Sequence, residues 1–248
     1  MMITIFTIAG SAVYAAEIPV SDQDQLITSS DWTEISNLQD EMKKEEPDAT
    51  IDYDKALKVY VDCNLIKLQT ADAKKLISAL ESANYVWVIP FKMEKTYGMF
   101  TVAKGLPLRE EAKSVLTKAE QEEVKNHAGK WMITETAEHT VEPYYDILLE
   151  KREALSDCTR VVLVGSQPGM RQPVALGMDD ETARIWISLG YQYPVMEKIP
   201  ETQNVESGVY SFESVADISD TYIEDSEVST GAGVQSRSSM KYVAGIGI

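Results

Sequence analysis

Asn84-Tyr-Val-Trp-Val-Ile-Pro-Phe91 decides the fold, together with a second apolar segment, residues 97–104, that follows closely along the chain. Apolar residues occupy both faces of the first segment, which is typical of a strand in the interior of a sheet. The short polar stretch Glu94-Lys-Thr96 separates the two segments, and so short a connection predicts a hairpin. The sequence therefore predicts two neighbouring antiparallel strands at the centre of the molecule.

Further strands and helices follow one another without strict alternation. Apolar runs and alternating patterns predict strands over 57–65, 130–138, 159–165, 174–176 and 184–189. Apolar residues at helical spacing predict helices over 32–46, 70–82, 118–127 and 142–155. Several connections are too short for crossover helices, which disfavours a parallel sheet. This order predicts an α+β fold with a mainly antiparallel sheet and helices packed on one face.

Capping residues mark the expected ends of these helices. Ser30-Asp31 precedes the first one, Pro47 follows it, and Thr70 precedes the second. Thr117-Lys-Ala-Glu120 has the spacing of a capping box, in which the Thr hydroxyl and the Glu carboxylate each bind a backbone amide of the other residue. Gly129 is expected to end that helix in a left-handed conformation.

The formal charge of −17 is concentrated at the two ends of the chain. Residues 17–55 carry 12 acidic and 3 basic side chains, residues 201–248 carry 8 and 2, and residues 56–200 carry 20 and 18. This division predicts one α+β domain over 56–200 between flexible acidic extensions. The first extension, 17–55, contains one amphipathic helix, and the second, 201–248, is acidic and then rich in Ser and Gly.

The excess of acidic residues also restricts the kinds of partner. Binding to nucleic acid needs clustered Lys and Arg, and docking on an anionic membrane surface needs a basic patch. A chain with 23 basic and 40 acidic residues fits neither, and no stretch of it is long and apolar enough to predict a transmembrane segment. We therefore expect no nucleic acid and no membrane as partners.

Residues 3–15, ITIFTIAGSAVYA, form an uncharged apolar run of the length found in secretory signal peptides. Val13-Tyr-Ala15 gives the small-x-Ala pattern of a cleavage site, and the acidic Glu17 follows it. No Lys or Arg precedes the run, and a buried N-terminal strand is the alternative interpretation. The pattern favours a signal peptide over 1–16, and hence a bacterial protein that is secreted or extracytoplasmic.

The sequence contains few candidates for catalysis. Gly165-Ser-Gln-Pro-Gly169 follows an apolar strand, but the spacing around Ser166 differs from the Gly-x-Ser-x-Gly elbow and its Pro-Gly predicts a turn. His127 and His139 are expected at the end of a helix and of a strand. Glu135 and Glu138, or Glu150 with another acid, would serve a glycosidase only at a separation that a sequence does not reveal. We assign no catalytic residue.

Metal and cofactor motifs are also lacking, and we predict neither a metal site nor a cofactor. The acidic groups at 179–181 and 217–225 lack the calcium-loop pattern, and no phosphate-binding glycine motif is present. Cys63 and Cys158 either pair in an oxidising compartment or remain buried thiols. Flat aromatic side chains, which belong either to the core or to a surface that stacks on sugar rings or peptide side chains, occur at Tyr85, Trp87, Phe91, Trp131, Trp186, Tyr191 and Tyr193.

These observations favour an exported, non-enzymatic binding or accessory module whose partner is an extracellular or envelope protein or a glycan. An extracytoplasmic hydrolase that uses Ser166 or a carboxylate pair is the alternative. A third hypothesis is a structural protein that assembles through the helix beginning at Trp32 or through a C-terminal strand.

Overall fold

The computed structural model describes residues 18–139, 142–165, 167, 173–189 and 204–217. Their main feature is one sheet of ten strands, which confirms the predicted α+β fold with a mainly antiparallel sheet. The strands are β1 Thr50–Ile51, β2 Leu57–Val61, β3 Asn84–Lys92, β4 Tyr97–Lys104, β5 Trp131–His139, β6 Arg160–Val164, β7 Val174–Met178, β8 Ala183–Ser188, β9 Asn204–Glu206 and β10 Val209–Ser211. The predicted signal peptide, 1–16, and the tail beyond residue 217 lie outside the described residues.

The helices lie between and around groups of these strands along the chain. They are α1 Trp32–Ile35, α2 Gln39–Glu45, α3 Ala73–Glu81, α4 Lys118–His127, α5 Tyr144–Glu150 and α6 (212–217). A 3-10 turn joins α1 to α2, so the helix predicted over 32–46 is present as one helical stretch. The capping box at Thr117 and Glu120 is confirmed, and Gly129 has the expected positive φ, +76°.

The order of strands across the sheet is β5-β4-β3-β2-β6-β7-β8-β10-β9, and β1 pairs with β3 beside this path. The predicted hairpin of β3 and β4 is confirmed. Every strand pair of the described residues is antiparallel except β2 with β6, where Val59 lies opposite Leu163. The sheet thus consists of two antiparallel halves that meet at one parallel pair.

The two faces of the sheet are both apolar. Val59, Leu163, Ala175, Ile187 and Val209 are successive partners across five neighbouring strands and are all buried on what we call the back face. The opposite, front face carries the buried side chains of Tyr60, Trp87, Val162, Leu176 and Trp186. A sheet that is apolar on both faces needs a cover on each side.

Helices supply that cover, most of them on the front face. The α1–α2 stretch places Ile35 and Met42 against Trp87, while α3 and α6 place Leu76 and Phe212 against Trp186. The back face is covered by α5 and the turn after it, with Leu148 and Leu155 fully buried. The prediction of helices on one face therefore holds for most of the helices. The helix that differs is α5, which packs on the back face.

The charge-based division of the chain does not coincide with a structural boundary. Residues 18–55 pack on the sheet, and Leu26, Ile35 and Met42 in this segment are 0% exposed. At the other end, β9 and β10 continue the sheet past residue 200. Residues 18–55 contain both acidic and apolar side chains. Such a segment can bury its apolar side chains against the sheet while its acidic ones stay in water, so its net charge does not mark it as a solvated extension.

Candidate binding site

A buried ionic cluster fastens the N-terminal segment to the front face. Asp24 is 2% exposed, and its carboxylate accepts hydrogen bonds from the Tyr60 hydroxyl at 2.7 Å and from Arg160 Nη2 at 3.1 Å. Lys58 Nζ lies 3.8 Å from Oδ1, the same carboxylate oxygen that accepts the hydrogen bond from Tyr60. We call these four residues the Asp24 cluster. Two cations around one carboxylate compensate the cost of burying each charge.

A second carboxylate, that of Asp31, lies beside the Asp24 cluster. Asp31 precedes α1 as predicted, but its side chain makes no helix cap. It accepts hydrogen bonds instead from the Tyr85 hydroxyl at 2.8 Å and the Trp87 indole nitrogen at 3.0 Å. Buried phenol and indole donors need hydrogen-bond acceptors. The Asp31 carboxylate therefore accepts from these two sheet residues instead of capping the helix.

The pKa values in the Asp24 cluster follow its burial. Desolvation lowers the pKa of Lys58 even though Asp24 is close by, and the Lys58 ammonium lies 4.6 Å from the Tyr85 ring centroid and 5.2 Å from that of Trp87. Burial, followed by the hydrogen bonds to Asp24 and Asp31, raises the pKa of the Tyr60 and Tyr85 hydroxyls. Lys58 lines neither of the two concavities described below, so its role is that of an anchor.

The larger concavity is an open groove of about 720 Å³ on the front side, between α6 and the loop that leads into α3. Loop residue Ala71 accepts a hydrogen bond from the Ala183 amide at 2.7 Å, which fixes the loop against the start of β8. Beyond Ser211 the chain leaves the sheet to form α6, so β10 does not extend alongside this part of β8. The groove is lined by Ile66, Gln69, Thr70, Ala71, Thr182, Ala183, Arg184, Ser211, Phe212, Glu213, Ala216 and Asp217.

Charged and polar side chains form the rim of the groove. Arg184 forms an ion pair with Asp179 in the β7–β8 turn. Hydrogen bonds from the Thr182 and Glu181 amides, and then from Arg184, hold the pKa of Asp179 down at about 2. The same carboxylate thus fixes both the turn and the position of Arg184.

A smaller cavity of about 180 Å³ lies where β2 and β4 end and β3 and β5 begin. Aromatic and aliphatic residues form most of its lining, and the remaining lining residues are polar and exposed. It is lined by Val61, Asp62, Ala83, Asn84, Tyr85, Val86, Lys104, Leu106 and Trp131. We call it the aromatic cavity.

Each concavity contains one residue with a strained backbone. In the described part of the chain, the non-glycine residues with positive φ are Asp62, at 58°, which lines the aromatic cavity, and Gln69, at 47°, which lines the groove. Left-handed backbone is uncommon for residues other than glycine, and such strain concentrates at functional sites. These two non-glycine residues with positive φ therefore coincide with the two concavities of the surface.

The residues considered for catalysis are not brought together. Ser166 lies outside the described residues, and His127 and His139 end α4 and β5 as predicted. Glu135 and Glu138 pair with Thr101 and Gly98, which are three positions apart on β4, so the two carboxylates lie on opposite faces of the sheet. A glycosidase pair at these two positions is therefore excluded by the register.

The two cysteines are free thiols and lie on opposite sides of the sheet. Cys63 packs against the front-face core, whereas Cys158 belongs to the back-face core. The alternative of a Cys63–Cys158 disulfide is thereby decided in favour of two thiols. Burial raises the pKa of both, that of Cys158 to about 11.

The aromatic side chains belong mainly to the core, and two of them, Tyr85 and the 7% exposed Trp131, also line the aromatic cavity. Trp87, Phe91 and Trp186 are at most 1% exposed, so these belong to the core. Tyr191 and Tyr193 lie outside the described residues.

The described residues show neither a candidate metal site nor a helix that could span a membrane. They contain no group of three or more His, Cys, Asp or Glu side chains arranged to hold a metal ion. None of the described helices combines the length and the apolar character needed to cross a membrane. Asp179 and Asp180 instead bind Arg184 and the Thr159 hydroxyl, and Asp217 lies on α6.

Comparisons with protein families, with curated proteins and with solved structures found no match to this chain. Function is therefore inferred from the geometry of the two concavities. Sequence reasoning missed the groove because its walls come from three separate segments, the first of which lies more than a hundred residues before the other two. The sequence did not predict the aromatic cavity either, although Tyr85 and Trp131 were among the flat aromatic residues considered for the core or for stacking on sugar rings or peptide side chains.

Proposed function

We propose that this chain is an exported, non-enzymatic binding module of the bacterial cell envelope, and that the groove is its ligand site. The groove is the observation that carries the proposal. Its volume of about 720 Å³ lies within the range of about 300–1,000 Å³ that is common for ligand sites. Its lining mixes apolar side chains with hydroxyl, amide and charged groups, as a site for a partly polar ligand requires.

The chemistry of the lining supports binding rather than catalysis. The described lining contains no histidine, cysteine or lysine, so it offers no imidazole, thiol or amine, and its titratable side chains besides Arg184 are the carboxylates of Glu213 and Asp217. Its hydroxyl groups are engaged within the fold, since Thr182 donates to Asp179 and Ser211 bonds to Ser214. The hydrolase alternative gains no observation from the described residues.

The sequence pattern of residues 3–17 supports export, since an uncharged apolar run is followed by a small-x-Ala cleavage pattern and an acidic residue. Ile18 and Val20 are buried, and the Pro19 carbonyl accepts a hydrogen bond from the Val161 amide at 2.7 Å. A chain cleaved after Ala15 or Ala16 would keep these contacts.

The groove's rim favours a partner that carries both polar groups and apolar parts. Arg184 contributes one positive charge, and Glu213 and Asp217 contribute two negative ones. An envelope protein segment and a glycan both have this mixed character. We expect either of them to lie along α6, against Phe212.

Affinity capture from native envelope extract tests the proposal, with Ala71→Tyr as the groove variant. Ala71 is exposed and lines the groove, so a large side chain there occupies binding space without disturbing the core. Ala119→Tyr is the matched control, because Ala119 is exposed on α4, away from the groove. We expect the wild type and Ala119→Tyr to retain the same component and Ala71→Tyr to retain at least about tenfold less.

Two outcomes contradict the groove as the ligand site. One is equal retention by Ala71→Tyr and the wild type, and the other is no retained component with any form. Treating the extract with protease beforehand separates the two classes of partner, because a protein ligand is lost and a glycan is kept.

A further inference from the structure

The aromatic cavity has a corner of two rings at its base. The centroids of Tyr85 and Trp131 are 5.8 Å apart, and the ring planes are tilted by 49°. The exposed Lys104 places its ammonium 5.4 Å from the Trp131 centroid. Val61, Val86 and Leu106 also line the cavity, the two valines from the back-face side of the sheet. Tyr85 is half-buried and Trp131 is 7% exposed, and the exposed part of these two rings suits a flat or nearly flat apolar surface of a ligand.

The aromatic cavity is also lined by the polar residues Asp62 and Asn84. Asn84 donates a hydrogen bond from its amide nitrogen to the Asp62 carboxylate at 3.1 Å, and both side chains are exposed. Asp62 holds this position with a φ of 58°. A left-handed Asp costs free energy that glycine would not cost, so the fold keeps a carboxylate here at some expense in stability.

We propose that the aromatic cavity binds one neutral sugar ring of a glycan. A pyranose has an apolar face that can lie against the aromatic corner and a rim of hydroxyl groups. The Asp62 carboxylate accepts from such hydroxyls, the Lys104 ammonium donates to them, and the Asn84 amide does both. This site is separate from the groove and does not depend on the groove's function.

Other ligand classes fit the aromatic cavity less well. An anionic ligand would meet the Asp62 carboxylate and a chain with a formal charge of −17. A wholly apolar ligand would take water from Asp62, Asn84 and Lys104 without replacing its hydrogen bonds. The volume of about 180 Å³ allows a single ring and little more.

Saturation-transfer NMR tests the proposal with three neutral probes at millimolar concentration: cellotriose, chitotriose and mannotriose. At least one of them should bind saturably, with the transfer concentrated on the protons of one ring. Asp62→Gly removes the carboxylate and relieves the left-handed strain, so it should weaken binding at least about tenfold while the thermal midpoint stays the same or rises. Lys104→Met keeps the side-chain length without the charge and should weaken binding as well.

Gln69→Gly is the matched control, because Gln69 is the other left-handed residue and lines the groove. It should leave sugar binding unchanged, as should Ala71→Tyr, which separates this proposal from that of the groove. Two results overturn the proposal: no saturable binding of any of the three sugars, or sugar binding that Asp62→Gly and Lys104→Met do not weaken. Saturable binding of N-acetyl-tryptophanamide alone would also overturn it, in favour of an aromatic peptide side chain.

Discussion

Asp24 and Arg160 form an ion pair at 3.1 Å across 136 positions of the chain, and the Asp24 side chain is only 3% exposed. The pair joins the segment before α1 to the middle of the sheet. Tyr60 and Lys58 complete the same cluster from β2. The acidic N-terminal segment is thus held by a buried interaction with its own sheet.

Asp24→Asn should destabilise the protein by about 3 kcal/mol, because it leaves the partly buried Lys58 and Arg160 without their counter-charge. Urea unfolding measures the change. Asp22→Asn is the control, since Asp22 is exposed in the same short 3-10 turn, and it should change stability by less than about 0.5 kcal/mol. Equal effects of the two variants would show that the Asp24 cluster does not hold the segment in place.

Gly98→Ala should destabilise by about 1–3 kcal/mol, because a Cβ at Gly98 would lie 2.1 Å from the ring of its cross-strand partner Phe91. Gly165→Ala is the control among buried glycines, since its Cβ would meet neighbours at 3.5 Å or more. Urea unfolding of both variants gives the comparison. If Gly98→Ala were as stable as Gly165→Ala, the packing of Phe91 across the β3–β4 hairpin would be contradicted.

Both cysteines should react as thiols without prior reduction. The unfolded, unreduced protein should take up two equivalents of a maleimide, as measured by intact mass. In the folded protein, the half-buried Cys63 should react before Cys158, whose burial raises its pKa to about 11 and lowers its thiolate fraction. Uptake that appears only after reduction would reveal a disulfide and contradict the placement of the two side chains on opposite faces.

Asp179→Asn should remove part of the acid sensitivity of the fold. The pKa of Asp179 is lowered from 3.8 to about 2, so its carboxylate contributes stability above its unfolded pKa and loses that contribution as the pH falls through about 2. The difference in thermal midpoint between wild type and variant should therefore shrink as the pH falls from about 5 toward 2. Asp54→Asn, an exposed acid in another turn, is the control for general charge effects. A difference that is constant with pH would contradict the assigned role.

Local signals in the sequence were sufficient for most of the elements. The capping box at Thr117 and Glu120 and the hairpin of β3 and β4 depend on residues close together in the chain, and both predictions are confirmed. Helix α3 begins later than predicted, because Asp72 takes the capping position and Thr70 supports it by accepting from the Asp72 amide. Two possible capping residues only two positions apart are difficult to rank without the tertiary contacts.

Pairings between strands that are far apart in the chain could not be predicted from local sequence patterns in the same way. The parallel pairing of β2 with β6 and the addition of β9 and β10 depend on partners far along the chain or on short strands with weak patterns. The candidate sites share this difficulty. No pattern in the sequence announces that Asp62 and Gln69 adopt positive φ, because neither is a glycine, and their significance appears only beside the concavities that they line.

The extracytoplasmic setting of the proposed binding module is tested most directly by intact-mass analysis of the protein made by its native host. The account predicts a mature chain that begins at Ala16 or Glu17, just before the buried Ile18, and that is recovered from the envelope or the medium. A cytoplasmic protein that retains Met1 or Met2 would contradict export and with it the proposed envelope partner.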